Sequence, residues 1–210
     1  MDPKALVRRG YDRVAEAYLR STAVTRRAER EKDMRLVTDR LPPGASVLDL
    51  GCRAGVPTTR ALAGRFVVTG VDFSAAQIRR ARRSVPAARF LLSDITSLAL
   101  PPASCDAVVA FCSIIHVPRA QQGRLIASVH GWLHPGGLFV ATPGAADMPA
   151  AVVDDWLGAP MYWSSFDAET NTQMLGEGGF RVEAATLETA EEDGEPVTFL
   201  WVVGRTASGG

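Results

Sequence analysis

Between residues 45 and 142, segments of strand length alternate with segments that have the periodicity of amphipathic helices. The predicted strands are Ser46 to Leu50, Phe66 to Val71, Arg89 to Leu92, Asp106 to Phe111 and Leu138 to Ala141. Strands that alternate with helices join through right-handed crossovers into a parallel sheet. The alternation therefore predicts an α/β domain whose sheet is mostly parallel.

Helix signals lie in the intervals between these strands. A short helix is predicted over Thr58 to Ala63, and Ser74-Ala-Ala-Gln77 has the form of a capping box. In such a box Ser74 accepts from the backbone N–H of Gln77, and the Gln77 side chain reaches back to residue 74. A further helix carries its apolar face on Leu125, Ile126, Val129, Trp132 and Leu133.

Segments on both sides of the alternation complete the predicted architecture. Val7, Tyr11, Val14 and Tyr18 place an apolar stripe on a first helix, and a second, charged helix is predicted over Arg26 to Arg40. The C-terminal part is predicted to hold an irregular aromatic insertion (Met148 to Tyr162), a helix (Phe166 to Gly176) and an antiparallel strand pair (Arg181 to Leu187, Pro196 to Val203). We therefore divide the single domain into a helical cap (1–43), a core (44–142) and a substrate-side segment (143–210).

Composition narrows the classes of protein that fit. A chain of 210 residues that is 47% hydrophobic suits one domain. Lys plus Arg and Asp plus Glu each number 23, so the zero net charge disfavours nucleic acid and membrane surfaces as partners. Three cysteines and an N-terminus without an apolar leader predict a cytoplasmic protein. We expect a small-molecule partner, and the oligomeric state stays open between monomer and homodimer.

The segment Asp49-Leu-Gly-Cys-Arg-Ala-Gly55 follows the first predicted strand of the core. Ligands of open α/β sheets bind beyond the carboxyl ends of the strands. Gly51 and Gly55 permit positive φ angles and close approach of a ligand to the backbone. The segment does not match the G-x-G-x-x-G of dinucleotide-binding loops, because residue 53 is an arginine and no third glycine follows at the required spacing.

This segment resembles motif I of the class I S-adenosylmethionine-dependent methyltransferases, an acid followed by G-x-G-x-G. Val71-Asp72-Phe73-Ser74 and Ser93-Asp94-Ile95 are similar to the ends of the family's second and third strands. Phe111 to His116 and His134 to Val140 are similar to the segments around strands four and five, and Tyr11 to Tyr18 resembles the lid helix of small-molecule members. The resemblance implies a Rossmann-like, doubly wound sheet of seven mostly parallel strands with an antiparallel last strand.

The resemblance also implies S-adenosylmethionine as cofactor and S-adenosylhomocysteine as product. Asp72 would bind the ribose hydroxyls, Asp94 and its neighbour would hold the adenine, and Ser113 would lie near the methionine end. The chemistry agrees, because Asp72 offers two acceptors and Asp94 can accept from an exocyclic amine, although both acids could instead be ordinary cap or turn residues. The predicted cofactor residues are Tyr18, Asp49, Gly51, Cys52, Arg53, Gly55, Asp72, Phe73, Gln77, Ser93, Asp94, Ile95 and Ser113.

The implied reaction is methyl transfer to O, N or C of a small, aromatic or natural-product-like acceptor. His116 is the predicted catalytic residue, because an imidazole titrates near neutrality, and a purely structural role is the alternative. The acceptor is predicted to contact Tyr11, His116, Met161, Tyr162 and Trp163, of which the last three could instead pack the insertion onto the sheet. We predict no metal site, because Cys105 and Cys112 would lie about 23 Å apart on one strand.

Arg53 stands where the family has its middle glycine. Its side chain could point into solvent, bind the methionine carboxylate through a charge-assisted fork, or fill the cofactor site. The last possibility leaves an alternative function. The chain would then be a methyltransferase-like protein that has lost methyl donation and acts as a ligand-binding protein or a cofactor-independent cyclase.

Overall fold

A computed structural model describes residues 2–24, 34–192 and 195–209 of the chain. Its strands are β1 (Ser46–Leu50), β2 (Val67–Asp72), β3 (Arg89–Leu92), β4 (Cys105–Phe111), β5 (Leu133–Thr142), β6 (Met148–Trp156), β7 (Ala159–Ser165), β8 (Arg181–Glu192) and β9 (Glu195–Arg205). Seven strands form one sheet in the order β3-β2-β1-β4-β5-β9-β8, and β6 and β7 form a two-stranded sheet. The pairs β1–β2, β2–β3 and β4–β5 are parallel, whereas β9 is antiparallel to β5 and β8. The predicted α/β fold and its antiparallel C-terminal pair are confirmed.

The helices are α1 (Pro3–Val24), α2 (residues 34–38), α3 (Thr58–Ala63), α4 (Ala75–Ser84), α5 (Arg119–Trp132) and α6 (Ala168–Glu177), with a 3₁₀ turn at Ile114–His116. Val7, Tyr11 and Val14 are buried on α1, as their spacing predicts. The predicted second helix lies outside the described residues except for its last part, which includes α2. None of the described helices is long and apolar enough to cross a membrane.

The chain forms two compact units. The first unit comprises Met1–Leu98 and Val152–Tyr162, and the second comprises Ala99–Ala151 and Trp163–Gly210. The three-part division into cap, core and substrate-side segment remains a prediction.

In the first unit, α4 packs on the sheet around the turn that follows β1. Cys52, Ile78, Ala81, Val85 and Phe90 form one buried apolar cluster. The Cys52 side chain belongs to this cluster, and burial raises the pKa of its thiol well above the ordinary value. The turn is therefore anchored in the core by the side chain of residue 52.

Gly70 on β2 makes this anchoring possible. A Cβ atom at residue 70 would lie 2.8 Å from Sγ and 2.9 Å from Cβ of Cys52, and 2.9 Å from Cδ1 of Phe90. Gly70→Ala is expected to lower the free energy of unfolding by about 2 kcal/mol, because the core must be overpacked to admit the methyl group. Chemical denaturation measures this change.

Gly131→Ala provides the matched control for that substitution. A Cβ atom at Gly131 meets no atom within 4 Å, and the residue is helical in α5. Alanine there is expected to preserve or raise stability, by up to about 1 kcal/mol. Equal effects of the two substitutions would contradict the close approach at Gly70.

The prediction of an irregular insertion over Met148 to Tyr162 is wrong. The segment forms β6 and the first part of β7, which are joined by a tight turn at Leu157 and Gly158 with φ of +54° and +94°. Two positive φ angles are typical of the type I′ turn that closes two-residue hairpins. Oδ1 of Asp155 accepts from the N–H of Gly158 at 2.9 Å and stabilises this turn.

Only one of the two hydrogen bonds of the predicted capping box at Ser74 is confirmed. The Ser74 side chain accepts from the N–H of Gln77, as predicted. The backbone N–H of Ser74, however, donates to Oδ1 of Asp72 at 2.8 Å, and the Gln77 amide makes no hydrogen bond within the described residues. Asp72 replaces Gln77 as the acceptor because it lies only two residues before the cap.

Candidate functional site

The turn after β1 brings backbone groups to the carboxyl end of β2. The N–H groups of Gly51 and Cys52 both donate to the carbonyl of Val71, at 2.8 and 3.0 Å. The φ angles of Gly51, Arg53 and Gly55 are +77°, +53° and +75°. A left-handed conformation costs a residue other than glycine about 1–2 kcal/mol. Arg53 therefore occupies a backbone position that favours glycine.

Asp72 ends β2 and binds this turn. Its carboxylate accepts from the backbone N–H groups of Arg53, at 3.0 Å, and Ser74, at 2.8 Å. Burial raises the pKa of Asp72 to about 6, and these two hydrogen bonds and the Arg53 charge only partly oppose the increase. A buried carboxylate with a raised pKa beside a backbone turn is a functional-site candidate, because further donors would stabilise its charge.

Asp49 has a different environment at the end of β1. The residue is 2% exposed, and its carboxylate accepts from the hydroxyl of Thr59 at 2.6 Å. Burial raises the pKa of Asp49 to about 6, against the opposing hydrogen bond from Thr59. The carboxylate links β1 to α3.

Asp94, which follows β3, is surrounded by donors. Its Oδ1 accepts from the N–H and the hydroxyl of Thr96, both at 2.9 Å, and its Oδ2 pairs with Nζ of Lys4 at 2.9 Å. Burial raises the pKa of Asp94, but the hydrogen bonds from Lys4 and Thr96 outweigh it and leave the pKa below the ordinary value. The neighbours Ser93 and Ile95 are half-buried, as is Phe73 after β2.

Helix α1 contacts the segments that follow three neighbouring strands. Lys4 pairs with Asp94, Asp12 accepts from the Ser74 hydroxyl and the Ala76 N–H, and the hydroxyl of Tyr18 accepts from Nη1 of Arg53. Residues 4 to 18 span about 21 Å of helix. Because these contacts follow the order β3, β2, β1, α1 crosses the carboxyl ends of all three strands.

Aromatic residues of the first unit gather beside α1. The rings of Tyr11, Tyr18 and Trp156 lie 5.2 to 5.6 Å apart between centroids. Met161 is buried against α1, since a Cβ atom on Gly10 would lie 2.8 Å from its Cε. Tyr162 is buried as well. Of the predicted acceptor residues, the first unit therefore contains Tyr11, Met161 and Tyr162.

The second unit carries the remaining predicted residues. The rings of His116 and Trp163 lie 5.8 Å apart between centroids. Cys112 has a φ of +51°, and its N–H donates to the hydroxyl of Thr142 at 2.6 Å. The hydroxyl of Ser113 is buried and makes no hydrogen bond within the described residues.

Comparison with known proteins assigns this arrangement to a family. Residues 47–137 match a family described as a methyltransferase domain. A trans-aconitate 2-methyltransferase of Variovorax paradoxus is 41% identical over 101 residues, which cover 47% of this chain and 38% of that protein. The match identifies residues 47–137 as a methyltransferase domain, and the relatives support a class I S-adenosylmethionine-dependent methyltransferase. It spans about two fifths of the length of this relative.

Solved structures show the same methyltransferase fold. An S-adenosylmethionine-dependent methyltransferase of Methanosarcina mazei aligns with a TM-score of 0.73 at 17% identity, over 83% of this chain and 98% of that one. A 1,6-didemethyltoxoflavin N1-methyltransferase of Burkholderia thailandensis, bound to its acceptor and S-adenosylhomocysteine, aligns with a TM-score of 0.66 at 19% identity, over 96% and 91% of the two chains. At these identities the likeness shows the fold.

The polar groups of this methyltransferase fit S-adenosylmethionine. Both amide atoms of Gln77, in the first turn of α4, are buried without a hydrogen-bond partner in the described part of the chain. A buried polar group without a partner costs about 1–3 kcal/mol, so a ligand rich in hydroxyl and amine groups can satisfy it. Because the Cys52 sulfur lies in the apolar core, any contact of residue 52 with the cofactor would come from its backbone.

Two features of the site were not predicted from the sequence. The Arg53 guanidinium donates to the hydroxyl of Tyr18 and lies 5.4 Å from the centre of its ring, so this side chain contacts α1. Lys4 and Asp12 were missed as neighbours of the site. Lys4 and Asp12 contact residues 62 to 92 positions away, and such distant contacts leave no local sequence signal.

Proposed function

We propose that the chain transfers the methyl group of S-adenosylmethionine to a small, planar or aromatic acceptor at O, N or C. The observation that carries this proposal is the buried Asp72 carboxylate beside the glycine turn. Both groups lie at the carboxyl ends of adjacent parallel strands, where open α/β sheets bind ligands. The names of the relative and of the neighbour bound to S-adenosylhomocysteine also support small acceptors.

The cofactor residues of the proposal have distinct tasks. Asp72 and the Gln77 amide would bind the ribose hydroxyls, Phe73 and Ile95 would enclose the adenine, and Asp94 would accept from its amine. The turn from Gly51 to Gly55 would present its backbone to the methionine half. When bound, the cofactor supplies a methyl group on a sulfonium, which is a strong electrophile and needs no metal ion.

The acceptor residues orient the substrate and exclude water. Tyr11, with its neighbours Tyr18 and Trp156, offers aromatic surface in the first unit, and Trp163 offers it beside His116 in the second. Alignment and desolvation provide much of the rate of such a transfer. His116 would hold the acceptor and remove its proton. The zero net charge supports a free small molecule over nucleic acid, and we propose a cytoplasmic monomer or homodimer.

The direct experiment is acceptor-dependent release of S-adenosylhomocysteine from S-adenosylmethionine, with planar aromatic acceptors compared with aliphatic ones of similar size. The proposal expects release with aromatic acceptors. Binding of S-adenosylhomocysteine without turnover of any acceptor would instead favour the alternative, a ligand-binding protein that has lost methyl donation.

Cofactor affinity is expected to depend on pH through Asp72. The pKa of its carboxyl in the free protein is about 6, and the ribose hydroxyls donate more strongly to the ionised form. Binding therefore lowers this pKa, and affinity must fall as the pH drops through 6. Between pH 7 and pH 5 the dissociation constant of S-adenosylhomocysteine is expected to rise about tenfold. Calorimetric titration at each pH measures this change.

The variant Asp72→Asn tests whether Asp72, rather than a neighbouring charged residue, causes this pH dependence. Asp49 has a raised pKa as well, and Arg53 and Asp12 also act on Asp72. If Asp72 carries the pH dependence, the variant binds more weakly and its affinity changes little between pH 5 and pH 7. A tenfold change that persists in the variant would assign the effect to Asp49 instead.

A further inference from the structure

Both oxygens of the Asp94 carboxylate already bind donors in the described structure. Oδ1 is bound twice by Thr96, and Oδ2 is bound by the Lys4 ammonium at 2.9 Å. Lys4 also donates to the Thr96 hydroxyl, which places all three side chains in one cluster. The side chains of Lys4 and Asp94 are only 24% and 28% exposed, so the pair is partly shielded from water.

Helix geometry alone does not favour a cation at residue 4. Lys4 lies in the first turn of α1, where the helix dipole favours anions, and Asp2 takes the capping role by accepting from the N–H of Lys4. The ion pair with Asp94 compensates for this unfavourable location. It also ties the N-terminal end of α1 to the segment after β3.

Resting on the proposed function, we propose that Lys4 is a specificity-determining residue of the cofactor site, which competes with the exocyclic amine of adenine for Oδ2 of Asp94. Both groups are donors, so an amine binds this oxygen either in place of the ammonium or beside it, where the positive charge weakens the oxygen as an acceptor. A carbonyl in the same place is an acceptor and can bind the ammonium without breaking the pair. Lys4 thus lowers the preference of the site for a base with an amine over a base with a carbonyl.

The competition also has a consequence for α1. When the amine takes Oδ2, Lys4 leaves Asp94, and the N-terminal end of α1 loses its tie to β3. The contacts of Asp12 with Ser74 and of Tyr18 with Arg53 do not involve Asp94 and persist. Adenine binding that displaces Lys4 therefore releases one end of α1 and leaves the rest of the helix in place.

The test is calorimetric titration of S-adenosylhomocysteine and S-inosylhomocysteine, which carries a carbonyl in place of the amine. The proteins are the unaltered chain, Lys4→Met and the control Arg8→Met, which removes an exposed cation from the same helix. Lys4→Met is expected to bind S-adenosylhomocysteine about three- to tenfold more tightly and to raise the adenine-to-inosine affinity ratio by about tenfold. Arg8→Met is expected to leave the ratio unchanged, and Lys4→Arg, which retains the charge, to keep it near that of the unaltered chain.

The outcomes separate this inference from the proposed function. If the unaltered chain binds S-adenosylhomocysteine and Lys4→Met leaves the ratio unchanged or lowers it, the competition is refuted and the cofactor assignment stands. If no variant binds either compound, the proposed function fails, and this inference fails with it. Lys4→Gln, an uncharged polar variant, is expected to shift the ratio in the same direction and replaces Lys4→Met if that variant is unstable.

Discussion

Asp72→Asn is expected to weaken the binding of S-adenosylhomocysteine about 100-fold at pH 7.5. The substitution removes a charge that would accept from two ribose hydroxyls. Hydrogen bonds to a charged group contribute about 1.5–3 kcal/mol each, and about 2.7 kcal/mol corresponds to 100-fold. Calorimetric titration of the purified variant measures the change.

The fold is expected to survive this substitution. The asparagine carbonyl can still accept from the Ser74 N–H, which stabilises the start of α4. Asp39→Asn is the matched control, because that carboxyl is exposed and contacts only Thr38 among the described side chains. An affinity of Asp72→Asn within threefold of the unaltered chain, in a protein with unchanged denaturation, would remove Asp72 from the site.

His116→Gln is expected to lower kcat about 100-fold for acceptors that lose a proton on methylation, with little change in KM. A general base contributes at least this factor, and glutamine keeps polarity and size but cannot take the proton. For acceptors without a removable proton, such as a pyridine nitrogen, kcat is expected to remain near that of the unaltered chain. The assay is release of S-adenosylhomocysteine with both acceptor types.

The comparison between acceptors identifies the role of His116. The imidazole packs at 5.8 Å from the Trp163 ring, so a structural role would reduce both reactions equally. His134→Gln serves as the control, because residue 134 begins the irregular first part of β5 and is not predicted to contact substrate. Equal losses for both acceptor types in His116→Gln would assign the residue to packing.

Local signals explain what the sequence predicts well. The bounds of β1, α3 and β3 agree with their apolar and helical patterns to the residue. Each pattern is a short-range property of a half-buried strand or an amphipathic turn. The places of Asp72 and Asp94 also follow, because the ends of parallel strands share one edge of the sheet.

Tertiary contacts explain what the sequence leaves out. The β6–β7 hairpin is closed by Leu157 and Gly158, which is not one of the Asn-Gly or Asp-Gly pairs that mark such turns. The Lys4–Asp94 pair joins residues 90 positions apart, and only the path of α1 across the strand ends brings them together. The predicted hydrogen bond from the Ser74 N–H to the Gln77 side chain does not form, because Asp72 is the nearer acceptor.

Arg53 combines a conformation that the sequence predicts with a side-chain contact that only the structure shows. The sequence predicts a glycine-like position, and the φ of +53° confirms it. The side chain contacts Tyr18, and its role among the three alternatives, pointing into solvent, binding the methionine carboxylate or filling the cofactor site, stays a prediction. Arg53→Gly removes the side chain and relieves the left-handed strain.

Titration of S-adenosylhomocysteine into the unaltered chain and into Arg53→Gly tests the central claim, that the strand ends of the first unit hold this cofactor. The unaltered chain is expected to bind one equivalent with micromolar affinity, about −8 kcal/mol. Absence of binding by both proteins at millimolar concentration would contradict the cofactor assignment. Binding by Arg53→Gly alone would show that the arginine closes the site and that the natural chain does not donate methyl groups.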